Sequence, residues 1–170
     1  MLRGLALLMI IAACGMYGLL MAQRYVQRPK QLRAFHQALE GLTTEISYGG
    51  TPLPQALQSA CIGVEEKVAE FFSLTAGEIA TGQPASQAWL ESANKVRSDL
   101  CLNNEDWQVI ISLASGLGTT DKIEEKKKLQ LCSMRLLAQE ESALTQGTKL
   151  AKMWSYMGFL AGATIALIIL

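Results

Sequence analysis

The chain has 170 residues, half of them hydrophobic, with 15 Lys+Arg balanced by 15 Asp+Glu, four cysteines and one histidine. A single histidine excludes a histidine-paired catalytic centre and most zinc sites, and Cys14, Cys61, Cys101 and Cys132 form neither a CxxC pair nor a zinc spacing. The zero net charge conceals a sorted distribution: no acidic residue precedes Glu40, while from Glu40 to Thr148 all 15 acidic residues stand against 8 basic ones, about −7 for the body of the chain. Such a body argues against a nucleic-acid partner, whose phosphates need a continuous basic surface, and points to a protein with a basic face.

In chain order, the first element is an apolar run from Gly4 to Ala22 with no charged residue, and its counterpart closes the chain from Met153 to Leu170. As helices rising about 1.5 Å per residue, each is about long enough to cross a hydrocarbon core of about 30 Å. The expected organisation is a transmembrane helix over 1–23, a cytoplasmic helical-bundle domain over 24–152 and a second transmembrane helix over 153–170. Arg24, Arg28, Lys30 and Arg33 follow the first span and Lys149 and Lys152 precede the second, whereas only Arg3 lies beyond an outer end. The positive-inside rule therefore places the middle segment in the cytoplasm. Basic collars of this kind also attract anionic headgroups, with Trp154 and Tyr156 suited to the interface. An alternative is carried by Ile11-Ala12-Ala13-Cys14, which is similar to a lipoprotein processing box and would put the domain outside after cleavage at Cys14. The apolar run continues past Cys14 to Ala22, which favours an anchor.

The middle segment reads as helix throughout. Arg28-Pro29 is expected to open the first bundle helix, since proline suits a first turn. Leu32, Phe35, Leu39, Leu42 and Ile46 recur at heptad spacing, suited to packing on another helix, either inside the fold or between copies of the chain. Gly49-Gly50 ends that helix, a short one runs from Thr51-Pro52 to Cys61, and Gly63 breaks it. Val64, Val68, Phe71, Phe72, Thr75 and Ile79 form the inner face of the next, which Gly82 stops; Pro84 opens a fourth with Ala88 and Trp89. Asn103 with Asp106 forms a capping box for a fifth whose inner face is Trp107, Ile110, Ile111, Ala114 and Leu117. Asp121 and Glu124 cap a last helix that runs unbroken through Leu129, Cys132 and Leu136 into the closing apolar run, weakened at Gly147 by about 1 kcal/mol against alanine. These elements predict an all-α, six-helix bundle. Gly50-Thr51-Pro52-Leu53-Pro54-Gln55-Ala56-Leu57 is echoed by Gly82-Gln83-Pro84-Ala85-Ser86-Gln87-Ala88-Trp89, a repeated device in which glycine ends one helix, proline starts the next and alanine allows close packing.

No enzymatic constellation stands out. There is no phosphate loop and no Gly-x-Ser-x-Gly elbow, so no catalytic residue, cofactor or metal is expected. His36 reads as a helix-surface residue. Glu65-Glu66, Glu124-Glu125 and Glu140-Glu141 read as solvated faces, because helical neighbours do not face one another, and Lys126-Lys127-Lys128 as surface with Glu124 paired to Lys128. The cysteines are expected to be reduced and mostly buried, and Trp89 and Trp107 to be core.

The Arg-Pro start, Leu42-Thr43-Thr44-Glu45-Ile46-Ser47-Tyr48-Gly49 followed by Thr51-Pro52-Leu53-Pro54-Gln55-Ala56-Leu57, the later Leu117-Gly118 to Asp121, and Lys149-Leu150-Ala151-Lys152-Met153-Trp154 together resemble the stage III sporulation protein AB family. Thr120 stands where serine is expected in that family. The family's soluble part is similar to the cytoplasmic domain of the F-type inner-membrane platform protein of type II secretion and type IV pilus machines. The resemblance implies a mother-cell protein in the outer forespore membrane, working with the stage III sporulation ATPase AA and other membrane subunits of a secretion-like channel. Beside it stands a passive, membrane-tethered scaffold that could be a homo-oligomer. For ATPase docking, the exposed acidic positions Glu65, Glu66 and Glu70 and the turn at Thr120-Asp121 are the candidate residues, since loop and surface polar groups are free to meet a partner.

Overall fold

The computed structural model describes residues 2–118 and 122–169, and the side chains within that range other than those of 2–8, 10, 11, 48, 49, 122, 148, 159, 163 and 166–169. Among the described residues it is all-α. Helix α1 spans Leu2–Thr44 and passes into a π-helical turn, Glu45–Gly49; α2 is Leu53–Ala60, α3 Glu66–Ala80, α4 Ala85–Val96 and α5 Asn104–Ser112, followed by a 3-10 turn at Leu113–Gly116; α6 is Lys122–Ile169. The chain divides into two compact units, one made of Lys30–Glu141 and the other of Met1–Pro29 with Ser142–Leu170.

The larger unit is built around an aromatic cluster. Phe35 of α1 lies 5.4 Å from Phe71 and 5.8 Å from Phe72 of α3, centroid to centroid, and Phe71 meets Trp89 of α4 edge-on at 4.6 Å. Edge-to-face pairs suit the ring quadrupole and add to the area they bury. Leu32, Phe35, Leu39, Leu42 and Ile46 are all buried, so the heptad stripe of α1 is intramolecular core rather than a surface between copies. Trp89 and Trp107 are both buried, and the Trp89 indole donates to the carbonyl of Ile110 at 2.9 Å, tying α4 to α5. Gln31, also buried, accepts from the amide of Cys101 at 2.6 Å and pins the α4–α5 loop to α1.

The sequence echo is a real structural repeat. Gly50 and Gly82 take positive φ (58° and 99°), a region open to glycine because it has no Cβ. Pro52 and Pro84 then stand at the N-caps of α2 and α4 with nearly the same backbone angles, and their carbonyls accept from the amides of Ala56 and Ala88, each at 3.0 Å. Ala56, Leu57, Ala88 and Trp89 are fully buried, and α2 and α4 each pack on α3. The capping box of α5 also forms, with Asp106 N–H donating to Asn103 at 2.8 Å and Asn103 N–H to Asp106 at 2.9 Å.

Four expectations are corrected. Pro29 does not open a helix: it is buried inside α1, which runs through it. Glu140 and Glu125 are not solvated, being only 4% and 7% exposed, because each serves as a specific acceptor. His36 is half-buried and hydrogen-bonded rather than free on a helix surface. Of the cysteines only Cys132 is buried, and Cys14, Cys61 and Cys101 are half-buried.

In the smaller unit two helical segments touch backbone to backbone. A Cβ built on Gly18 would lie 2.9 Å from the carbonyl oxygen of Trp154, and one built on Gly158 would lie 2.9 Å from Gly18 Cα and from the carbonyl oxygen of Cys14. Only glycine permits that approach. Ala13, Tyr17, Met157 and Ala161 line an apolar groove beside it. Among the described residues no helix is both long and apolar enough to cross a membrane. The two spans expected over 1–23 and 153–170 are thus not supported by these residues, and parts of both runs lie outside the described side chains.

Candidate functional site

The acidic positions expected to meet a partner divide by role. Glu65 is the N-cap of α3, and its carboxylate accepts from the Val68 amide at 3.1 Å, satisfying one of the donors that a helix start leaves unpaired. Glu66 and Glu70 lie one turn apart on α3 and are exposed, with no side-chain hydrogen bond or ion pair among the described residues. Lys67, between them, donates to the backbone carbonyl of Asp99 at 2.9 Å and fastens the end of α4 to this face. Glu66 and Glu70 are therefore the two residues of the acidic trio that a partner can engage without dismantling the helix.

Thr120 and Asp121 lie outside the described residues, but the edges of their turn are defined. Gly118 has φ 72° and its amide donates to the buried Glu125 at 3.0 Å, while a Cβ on Gly118 would come within 3.0 Å of Ala85 Cβ. Gly118 is thus held from α6 and packed against the start of α4. Lys128 lies over Gly116, and its ammonium pairs with Glu124 at 3.0 Å, the i,i+4 pair expected from spacing.

A second polar cluster joins α1 to α6 and was missed from sequence. Arg33 donates to Glu140 at 2.7 Å; the guanidinium side chain is 61% exposed, the carboxylate side chain 5%. Nearby, the Ser133 hydroxyl donates to Glu40 at 3.0 Å and stands 2.8 Å from Nδ1 of His36. With the single hydroxyl hydrogen given to Glu40, His36 Nδ1–H is the donor in the second contact. The serine lies between acid and histidine and is 3% exposed, so the order of contacts is that of a clamp and not of nucleophile, base and orienter. The only sequence signal was an i,i+4 pair of polar residues, His36 and Glu40, beside the apolar stripe. Its partners stand more than 90 residues away.

Electrostatic shifts fall on the α3–α4 surface and in the core. Lys95 donates to Glu78 at 2.6 Å, which raises the ammonium above its ordinary value; Glu91 is held below the usual carboxylate range by the amides of Gln87 and Gln83. Burial pushes the Cys132 thiol up to about 12, against a small opposing effect of Arg135. Among the described residues no group of His, Cys, Asp and Glu is arranged to hold a metal ion.

A family model described as stage III sporulation protein AB matches residues 3–170. The protein of that name from Bacillus subtilis (strain 168) is 33% identical over 171 residues, covering all of both chains. A solved structure of a stage III sporulation protein AB superposes with a TM-score of 0.68 at 31% identity, covering 72% of this chain and 97% of that one.

Proposed function

The chain belongs to the stage III sporulation protein AB family, and from that premise we propose that it is a non-enzymatic membrane platform of a sporulation secretion-like channel between mother cell and forespore. In this reading the terminal helices anchor it in the outer forespore membrane, the bundle lies in the mother-cell cytoplasm, and a secretion-type ATPase and other membrane subunits are its partners. The observation that carries the coupling role is α6, one unbroken helix over Lys122–Ile169. Its N-terminal half contributes Leu129 and Leu136 to the bundle core, and its C-terminal half contributes Gly158 to the glycine contact with Gly18. A continuous helix transmits displacement better than a flexible linker.

The membrane reading draws on the smaller unit. Met9, Met16, Leu19, Leu20, Met157 and Leu160 are all more than half exposed, a concentration of apolar side chains that water disfavours and lipid accepts. Small residues at the helix contact fit the way helices associate in lipid, where packing replaces the hydrophobic drive. The helix also runs through Cys14, whose carbonyl lies against Gly158, and this favours an intact anchor over cleavage there.

The experiment is proline at Gln146, an exposed position of α6, which breaks or kinks the helix at a cost of about 3 kcal/mol or more. The Gln146→Pro chain is expected to accumulate and to co-purify with the ATPase but to fail in sporulation. Normal sporulation by a stably accumulated variant rules out transmission through α6. The docking surface is tested by Glu66→Lys with Glu70→Lys in the full chain, expected to weaken ATPase co-purification with unchanged thermal melting. A single cysteine at the exposed Ile62 should stay shielded from an impermeant thiol reagent in intact cells, and labelling before lysis would overturn the cytoplasmic assignment.

A further inference from the structure

In the smaller unit the two helical segments run antiparallel in a register fixed by glycine contacts. Gly18 meets Trp154 and Gly158, and Gly147 meets the Tyr25 carbonyl, so Arg24 stands level with Lys149 on the neighbouring segment. Beside this contact an apolar groove encloses about 400 Å³, with Gly18 and Gly158 at its floor and Ala13, Tyr17, Met157 and Ala161 along its open edges. The two segments pack without filling it: Tyr17 and Met157 remain 58% and 52% exposed.

Taking this unit as the membrane anchor proposed above, we infer that the groove holds one acyl chain of an anionic phospholipid from the leaflet on the bundle side, with the lipid phosphate between Arg24 and Lys149. Charge supplies the first ground. Arg24 and Lys149 are exposed, and neither is in a side-chain hydrogen bond or ion pair among the described residues. The unit contains no Asp or Glu, so the counter-charge to these cations comes from outside it. Long basic side chains at a helix end reach headgroups, and basic pockets between membrane helices on the cytoplasmic side are where anionic headgroups bind.

Length supplies the second. Arg24 follows Tyr17 by seven residues, two turns on and on the same face of α1, and follows Ala13 by eleven, about 16 Å along the axis. Half of a hydrocarbon core of about 30 Å is about 15 Å. An acyl chain whose headgroup sits at Arg24 therefore ends where the groove ends. The space also suits a chain better than a partner helix: a helix about 10 Å across and equally long would displace on the order of 1,200 Å³, about three times what the groove encloses.

The test reconstitutes the full chain in phosphatidylcholine vesicles that carry, as a minor component, either phosphatidylglycerol or phosphatidylcholine brominated in mid-chain. Trp154 lines the groove, and its quenching is read as the difference from a Trp154→Phe chain, since Trp89 and Trp107 are buried in the larger unit. Brominated phosphatidylglycerol should quench with an apparent preference of about tenfold over brominated phosphatidylcholine. Arg24→Gln with Lys149→Gln should abolish the preference. Ala13→Phe with Ala161→Phe, both at exposed positions, should abolish it as well although both cations remain, which attraction of headgroups to a basic collar alone would not do. Equal quenching by the two lipids, or a preference that survives filling of the groove, would overturn the inference and leave membrane insertion standing. Quenching by neither lipid would overturn the membrane reading along with it. A preference lost as the protein-to-lipid ratio rises would overturn the inference by assigning the groove to a second copy of the chain.

Discussion

The carbonyl oxygen of Tyr25 lies against the bare Cα of Gly147, so close that a Cβ built there would stand 2.8 Å from it. In an unbroken helix that carbonyl would accept from the amide four residues on, but residue 29 is proline and has no N–H. The glycine on α6 makes room for an acceptor that the proline on α1 has left without its helical donor. Two residues that read separately as a helix start and a weak point are one feature.

This contact reverses the sign of a substitution. Helix propensity alone makes Gly147→Ala stabilising by about 1 kcal/mol. Because the added methyl would meet backbone, which cannot swing aside, Gly147→Ala should instead lower the melting temperature of the full chain, at a net cost of about 1–3 kcal/mol. The loss should shrink in a Pro29→Ala background, where the Tyr25 carbonyl regains a helical donor. An unchanged or higher melting temperature for Gly147→Ala would show that the helices separate freely there.

Within the acidic trio, stability should separate Glu65 from its neighbours. Glu65→Ala removes the cap of α3 and should cost about 0.5–2 kcal/mol in chemical denaturation, whereas Glu66→Ala and Glu70→Ala should stay within about 0.5 kcal/mol of the parent. Equal effects at the three positions would deny Glu65 its capping role.

The Arg33–Glu140 pair should respond unequally to removal of its two partners. Arg33→Ala leaves a buried carboxylate without its donor and should destabilise by about 1–3 kcal/mol. Glu140→Gln leaves an arginine that is already largely in water, and the amide fills the same space, so its cost should be smaller. Denaturation curves of the two variants and of the double variant measure the asymmetry.

The thiols should differ in reactivity. The folded thiol of Cys132 is raised to about 12, so at pH 8 almost none of it is thiolate, and it should resist alkylation while the half-buried Cys61 and Cys101 react. The thiolate is favoured in the unfolded chain and the neutral thiol in the native one. The contribution of this group to stability is therefore complete below the ordinary thiol pKa near 9 and declines as pH rises toward 12. Mass spectrometry after a timed alkylation, with and without denaturant, reads both the protection and its loss.

The helix order, the capping box at Asn103, the Gly-Pro repeat and the buried stripe of α1 were legible because each is a local pattern. Periodicity shows which face is apolar, and glycine and proline mark backbone angles that few other residues take. The course of α1 through Pro29 was not legible, because proline at a helix start and proline inside a tolerated helix look alike until the surroundings of the orphaned carbonyl are known. Glu140 and Glu125 were misread for a related reason. A glutamate beside another glutamate reads as surface, and only the approach of Arg33 or of the Gly118 amide makes burial favourable.

By itself the sequence determined an all-α chain of six helices, the family to which it belongs and the positions of its turns, since these depend on residues a few places apart. Only the tertiary structure decided which polar groups are partnered and which face of α6 is left without a core. Arg33 and Glu140, His36 and Ser133, and Tyr25 and Gly147 are each separated by about a hundred residues or more, and no short-range pattern encodes which of the available donors, acceptors and glycines will meet when the helices pack.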